Sequence, residues 1–264
     1  MVLASLLLGS LLSGEPILFS LLLGVFVCIA AWEWAGLIDC RQAQQKVIYS
    51  LLVTLPLPFL HIYITTPWTA AVVWFGTAGW CVAAVMVFCY QAGGRFVPAG
   101  HLAGYLAGFF VLIPAWTGLV WLFPYREGLQ LILLFFVTVC LADSAAFIAG
   151  RRWGKSRLAS RVSPGKTREG FYAGVTAALL SALAFVIYEG FSVLAGMWLI
   201  VLCVVCVVFS VIGDLFVSMF KRHANVKDSG HVLPGHGGVL DRVDSIAAAA
   251  PVFVTGIWML EGRL

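Results

Sequence analysis

Long uninterrupted runs of apolar residues decide what this chain can become. They fall at about 2–12, 16–38, 47–65, 68–90, 99–121, 128–149, 171–188, 191–212 and 245–260. About 20 apolar residues coiled as a helix match the hydrocarbon thickness of a bilayer. Inside lipid the backbone has no water to bond, so continuous runs must satisfy their own N–H and C=O groups as helices. A mean hydropathy of +1.01, with 62% hydrophobic and 11% charged residues, excludes an ordinary soluble domain. The expected fold is all-α: a polytopic integral membrane protein of about nine helices. The first run is too short to cross the bilayer unaided. Residues 1–127 read as an N-terminal set of transmembrane helices. Residues 128–264 read as a second transmembrane region carrying two long polar loops, 150–170 and 221–243.

Charge placement orients the bundle. If successive helices alternate sides, one side receives Arg41, Lys46, Arg95, Arg151, Arg152, Lys155, Arg157, Arg161, Lys166, Arg168, Lys221, Arg222, Lys227 and Arg242, which is 14 of the 16 basic residues. Arg126 and Arg263 fall on the other. Basic residues are retained on the cytoplasmic side, so both polar loops are expected there. The seven cysteines lie in or beside apolar runs, and Cys203 and Cys206 sit in one of them. Packing as small hydrophobes suits them better than disulfides or zinc. Most tryptophans mark helix borders, where interfacial anchoring accounts for them. Glu33, in Ala31-Trp32-Glu33-Trp34-Ala35, reads as a structural carboxylate that snorkels or pairs inside the bundle.

The polar stretch from Ser218 to Asp244 interrupts this pattern. It holds Lys221, Arg222, Lys227, Asp228, Asp241, Arg242 and Asp244, with Asp214 just upstream. An aspartate at bilayer depth costs roughly 2.5–3.5 kcal/mol on insertion scales and normally has a partner. On a continuing helix, Asp214, Ser218, Lys221 and Arg222 share one face, and so do Asp241 and Asp244 at the start of the last helix. Hard oxygen ligands without cysteine suit Mg²⁺, which takes one or two carboxylates and completes its shell with water and phosphate oxygens. Singly, Asp241 and Asp244 read equally as ordinary first-turn residues that complement a helix dipole, and Lys221 and Arg222 as headgroup anchors. Their density around Pro234–Gly238 favours a site.

The other loop contains Ser163-Pro164-Gly165-Lys166-Thr167. It is not a nucleotide-binding P-loop: Ser160 stands where that motif needs glycine, and no strand is expected before it. Lys166 and Thr167 remain available to phosphate oxygens. Asp143 reaches the same pocket or bonds across helices, and the two readings weigh equally. His236 reads as a loop-shaping or hydrogen-bonding residue rather than a required base.

The stretch Ser218–Asp244 resembles the signature of the phosphatidate cytidylyltransferases, S-x-x-K-R followed by K-D-x-G and H-G-G-x-x-D-R-x-D. Ser218, Lys221, Arg222, Lys227, Asp228, Gly230, His236, Gly237, Gly238, Asp241, Arg242 and Asp244 occupy its fixed positions. Similar landmarks lie at 31–35, 143–150 and 163–170, so the resemblance covers nearly the whole chain. Arg168, Val217 and Phe147 depart from the usual residues. The resemblance implies transfer of CMP from CTP to phosphatidate, giving CDP-diacylglycerol and pyrophosphate in phospholipid biosynthesis. With the residue chemistry, it implies Asp214, Asp241 and Asp244 as metal-binding and catalytic residues, with Lys221 and Arg222 also catalytic. Lys166, Thr167, Ser218, Lys227, Asp228, His236, Gly237 and Arg242 would bind substrate. Mg²⁺ is the expected cofactor, with room for a second cation. The expected setting is a bacterial cytoplasmic membrane, with a homodimer as the assembly and no nucleic-acid polymer as partner. The nearest rivals are a CTP-dependent polyprenol kinase and a CDP-archaeol synthase. A transporter is a more distant one, because no internal repeat is present and the charge gathers at one face.

Overall fold

Proline sets where several helices begin, because its missing N–H is not needed in a first turn. Pro16, Pro56 and Pro67 open α2 (Pro16–Leu37), α4 (Pro56–Ile62) and α5 (Pro67–Gln91). A computed structural model describes residues 2–38, 40, 42–94, 101–125, 127–230, 232 and 237–261. Its other helices are α1 (Val2–Leu12), α3 (Ala43–Thr54), α6 (His101–Leu122), α7 (Gly128–Trp153), α8 (Arg168–Glu189), α9 (Val193–His223) and α10 (Leu240–Glu261). Pro56 divides the third apolar run, so α3 and α4 together make a single candidate span, Ala43–Ile62.

Among the described residues, eight segments are long and apolar enough to cross a membrane. The short α1 is left over, as its length predicted. No basic residue precedes Arg41, so the uneven division of basic residues stands whether or not α1 crosses. At 31 residues, α9 is about 46 Å long against a hydrocarbon core of about 30 Å, so its last turns emerge from lipid.

Helix α10 runs through the centre of the bundle, against α9, α6, α5 and α2. Ala247–Ala250, Val252–Val254 and Ile257 are all buried. Lipid offers no hydrophobic drive between helices, so small residues that admit close backbone approach hold such a bundle. Gly213 does this at the α9–α10 crossing, where a Cβ would collide with the Asp244 carbonyl oxygen and the Ala248 side chain.

The all-α expectation needs one local correction. The loop after α7 contains β1 (Arg157–Ala159) and β2 (Ser163–Thr167), paired antiparallel with Arg157 opposite Thr167 and Ala159 opposite Ser163. Ala159 and Val162 are buried, and this small apolar contact gives the hairpin its inner side. Thr167 then caps α8 by accepting a hydrogen bond from the Gly170 N–H at 3.1 Å. The hairpin, the last turns of α2, α5 and α9, and the first turn of α10 gather at one face of the bundle.

Candidate active site

Two polar segments build the site, and specific side chains tie them together. The hairpin tip rests on the end of α5: the Arg161 guanidinium donates to the Tyr90 carbonyl at 2.9 Å and lies over the Tyr90 ring. Gln91 adds bonds to the Arg161 N–H and the Ser160 hydroxyl. From α9, Arg222 Nε donates to the Val162 carbonyl at 3.2 Å. Held on both sides, β2 points Lys166 at α9, and Lys166 Nζ lies 2.7 Å from Asp214 Oδ2.

Along α9 the face expected from spacing is present. The Ser218 hydroxyl, one turn after Asp214, donates to Asp214 Oδ1 at 3.0 Å. One turn further, Lys221 is buried and reaches across to α10, its Nζ 2.7 Å from Asp241 Oδ1. The other Asp241 oxygen accepts from the backbone N–H groups of Ser229 (2.9 Å) and Gly238 (3.0 Å). Asp241 therefore closes the base of the loop that begins after α9. Gly237 at that base has φ +81°, and a Cβ there would press on Asp241 Oδ2.

Asp244 is buried, with Oδ1 accepting from the Ser245 N–H at 2.7 Å. The close crossing at Gly213 brings it near Asp214, and the two carboxylates act electrostatically on one another. Asp143 of α7 joins this group. It lies near the Ser245 side chain and within electrostatic reach of Lys166 and Asp214.

The structure thus unites Asp214, Asp244, Lys166, Ser218, Lys221 and Asp241 at adjoining positions. Among the described residues, no three Asp, Glu, His or Cys side chains form a ready-made metal cage. Mg²⁺ needs only one or two protein carboxylates when phosphate oxygens and water complete its shell. The Asp214–Asp244 pair has that chemistry, while Asp241 is engaged by Lys221 and two backbone donors. Arg222, Lys227, Asp228 and Arg242 are exposed at the same face, and the Asp228 Cβ adjoins Gly237. Thr167 spends its oxygen on the α8 cap, and His236 lies outside the described residues.

Glu33 has a larger part than spacing alone revealed. This buried carboxylate from α2 accepts from the Val239 N–H (3.0 Å), the Leu240 N–H (2.7 Å) and the Ser229 hydroxyl (3.1 Å). The signal available in the sequence was a carboxylate in an apolar run, which must find donors somewhere. The identity of those donors, some two hundred residues away, was not legible.

A sequence model of the cytidylyltransferase family matches residues 1–260. The chain belongs to the cytidylyltransferase family. Among its curated relatives, the phosphatidate cytidylyltransferase of Pseudomonas aeruginosa is 40% identical over 263 residues, covering 98% of this chain and 94% of the relative. The enzyme of the same name from Haemophilus influenzae is 35% identical over 265 residues, covering 90% and 89%. A Staphylococcus saprophyticus relative, also a phosphatidate cytidylyltransferase, is 41% identical over 150 residues, or 55% of this chain. The polar face of this cytidylyltransferase-family bundle is built from the landmarks at 31–35, 143–150, 163–170, 214–230 and 237–244.

Proposed function

We propose that the chain is a phosphatidate cytidylyltransferase, joining CTP and phosphatidate to give CDP-diacylglycerol and pyrophosphate. Membership in the family and the full-length likeness to enzymes of that name support the reaction. The observation that carries it to this site is the Lys166–Asp214 ion pair, which sets a cation from one polar loop beside the carboxylates at the α9–α10 crossing.

An oxygen of the phosphatidate phosphate attacks the α-phosphorus of CTP. That O–P bond forms as the bond from the α-phosphorus to the bridging oxygen of the β-phosphate breaks, and pyrophosphate leaves with the electron pair. The nucleophile is already anionic, so no activated serine, cysteine or histidine is needed. The barrier lies in bringing two polyanions together and in charge on the leaving group, which positioning and electrostatics overcome. Lys166, Lys221, Arg222, Lys227 and Arg242 offset phosphate charge, and Ser218 holds Asp214 in place. Asp228 and Gly237 would adjoin the nucleotide and phosphate positions, Thr167 would act through its cap on α8, and the family signature assigns His236 to substrate. Asp214 and Asp244 would hold Mg²⁺, with Asp241 joining when Lys221 turns to a phosphate, and a second cation fits the same acidic group. When bound, Mg²⁺ screens phosphate charge and stabilises the leaving pyrophosphate.

The uneven basic loops support a place for this face on the cytoplasmic side of a bacterial inner membrane, where CTP is dissolved. A homodimer belongs to the same reading, and the mass of the detergent-solubilised protein tests it. The decisive assay supplies purified protein with phosphatidate, Mg²⁺ and CTP labelled at the α- or γ-phosphorus. Label from the α position is expected in the lipid and label from the γ position in pyrophosphate. Transfer of γ-label to a lipid would establish a kinase instead.

A further inference from the structure

We infer that Glu33 is a positioning residue for the reaction: a cap, supplied by α2, that fixes the start of α10 and with it the placement of Asp241 and Asp244. The inference rests on the proposed cytidylyl transfer for its kinetic effect, but not for its structural one.

The first turn of any helix presents unsatisfied N–H groups that attract a nearby anion. Here the nearest acidic residues in sequence are Asp241 and Asp244, both already placed in the site. Glu33 intervenes from another helix, accepting from the Val239 and Leu240 N–H groups through separate oxygens. Its Oε2 also takes the Ser229 hydroxyl at 3.1 Å, while the Ser229 N–H bonds Asp241 at 2.9 Å. Ser229 is therefore pinned between the two carboxylates. The fit leaves no slack: a Cβ on Gly230 or Gly238 would run into the Glu33 carboxylate. Glu33 has 3% of its surface exposed, which places it away from bulk water and assigns it to holding rather than touching substrate.

Three donors and no acceptor converge on this side chain. Glutamine keeps the shape but replaces one acceptor oxygen with an NH₂ group that faces a donor. Glu33→Gln should lower kcat about ten- to a hundredfold, the scale of losing a residue that orients a site group rather than touching substrate. KM for CTP should change much less. Hydrogen–deuterium exchange of the detergent-solubilised protein should quicken in peptides covering 237–245 and remain unchanged in α5 and α6. Glu33→Asp, which keeps the charge on a shorter arm, should recover part of the activity. Ser229→Ala removes one bond to Glu33 and should give a smaller change in the same direction in both readouts.

Wild-type kcat and exchange in Glu33→Gln would overturn the inference. So would faster exchange spread evenly through the bundle with Glu33→Asp no better than Glu33→Gln, which marks a general stability role. If Glu33→Gln does not fold, wild-type behaviour of Ser229→Ala in both readouts overturns it. An inactive wild-type protein would count against the proposed reaction, and the exchange measurements would still decide the role of Glu33.

Discussion

Lys166 of the hairpin and Asp214 of α9 form an ion pair, Nζ to Oδ2 at 2.7 Å, that fastens one polar loop to the other. Both side chains keep about a quarter to a third of their surface open, 25% and 30%. The pair is therefore sheltered yet reachable by a ligand from water. An arriving phosphate offers Lys166 an alternative anion, and a divalent cation offers Asp214 an alternative to the ammonium. Under the proposed function, substrate and metal together would exchange partners with this pair rather than fill a void.

Lys166→Met and Asp214→Asn should each reduce turnover by about a hundredfold or more, the scale seen when a charge-stabilising group leaves a preorganised site. Both variants should stay folded, with size-exclusion profiles and melting temperatures near wild type. Transfer of α-labelled CMP to the lipid checks the first expectation and thermal melting in detergent the second. Undiminished activity in Asp214→Asn would remove this carboxylate from the metal site.

Chelation should abolish transfer, and added Mg²⁺ should restore it. Metal held as proposed would also relieve the mutual repulsion of Asp214 and Asp244, so Mg²⁺ with CTP should raise the melting temperature. Ligand at a hundred times its Kd stabilises the folded state by about 2.7 kcal/mol. The shift should shrink in Asp244→Asn, which differential scanning fluorimetry would reveal.

Gly213→Ala should act without touching any charge. The added Cβ meets the Asp244 carbonyl and Ala248, so α9 and α10 must part. Overpacking of this kind costs about 1–3 kcal/mol. A lower melting temperature and reduced kcat are expected together, whereas Gly165→Ala, with open space around its position, should change stability little.

Arg222→Met should free the hairpin from the end of α9, because the Val162 carbonyl loses its donor. Trypsin should then cut at Arg157 or Arg161 several times faster, read by mass spectrometry of timed digests. An unchanged cleavage rate would mean that the contacts to Tyr90 and Gln91 suffice alone.

Sidedness is open to labelling. Lys155→Cys should react with a membrane-impermeant maleimide in inverted inner-membrane vesicles and stay protected in intact spheroplasts. The opposite pattern would reverse the assignment of the polar face.

The bundle was largely legible because each long run of apolar residues has one stable form in lipid. Pro56 was a visible signal for the break between α3 and α4, but Pro114 and Pro251 stay inside their helices, so proline alone does not locate the ends. The hairpin was not legible. Its strands have 3 and 5 residues, carry Pro164 and Gly165, and owe their pairing to contacts with Tyr90, Gln91 and Arg222. The α9 face of Asp214, Ser218 and Lys221 followed from helical spacing. The division of labour among the aspartates did not, because it depends on which donors the folded loop presents to Asp241 and on how closely Gly213 admits Asp244.

The length of α9 fixes the depth of the acidic group. Asp214 comes twenty-one residues after Val193, where the helix starts, and about 1.5 Å per residue puts it roughly 32 Å along the axis, one hydrocarbon thickness from the far border. The acidic group is thus level with one edge of the oily layer instead of standing out in solvent. Under the proposed reaction, a phosphate tethered to two fatty chains would meet it by sideways diffusion, and only the water-soluble nucleotide would have to descend.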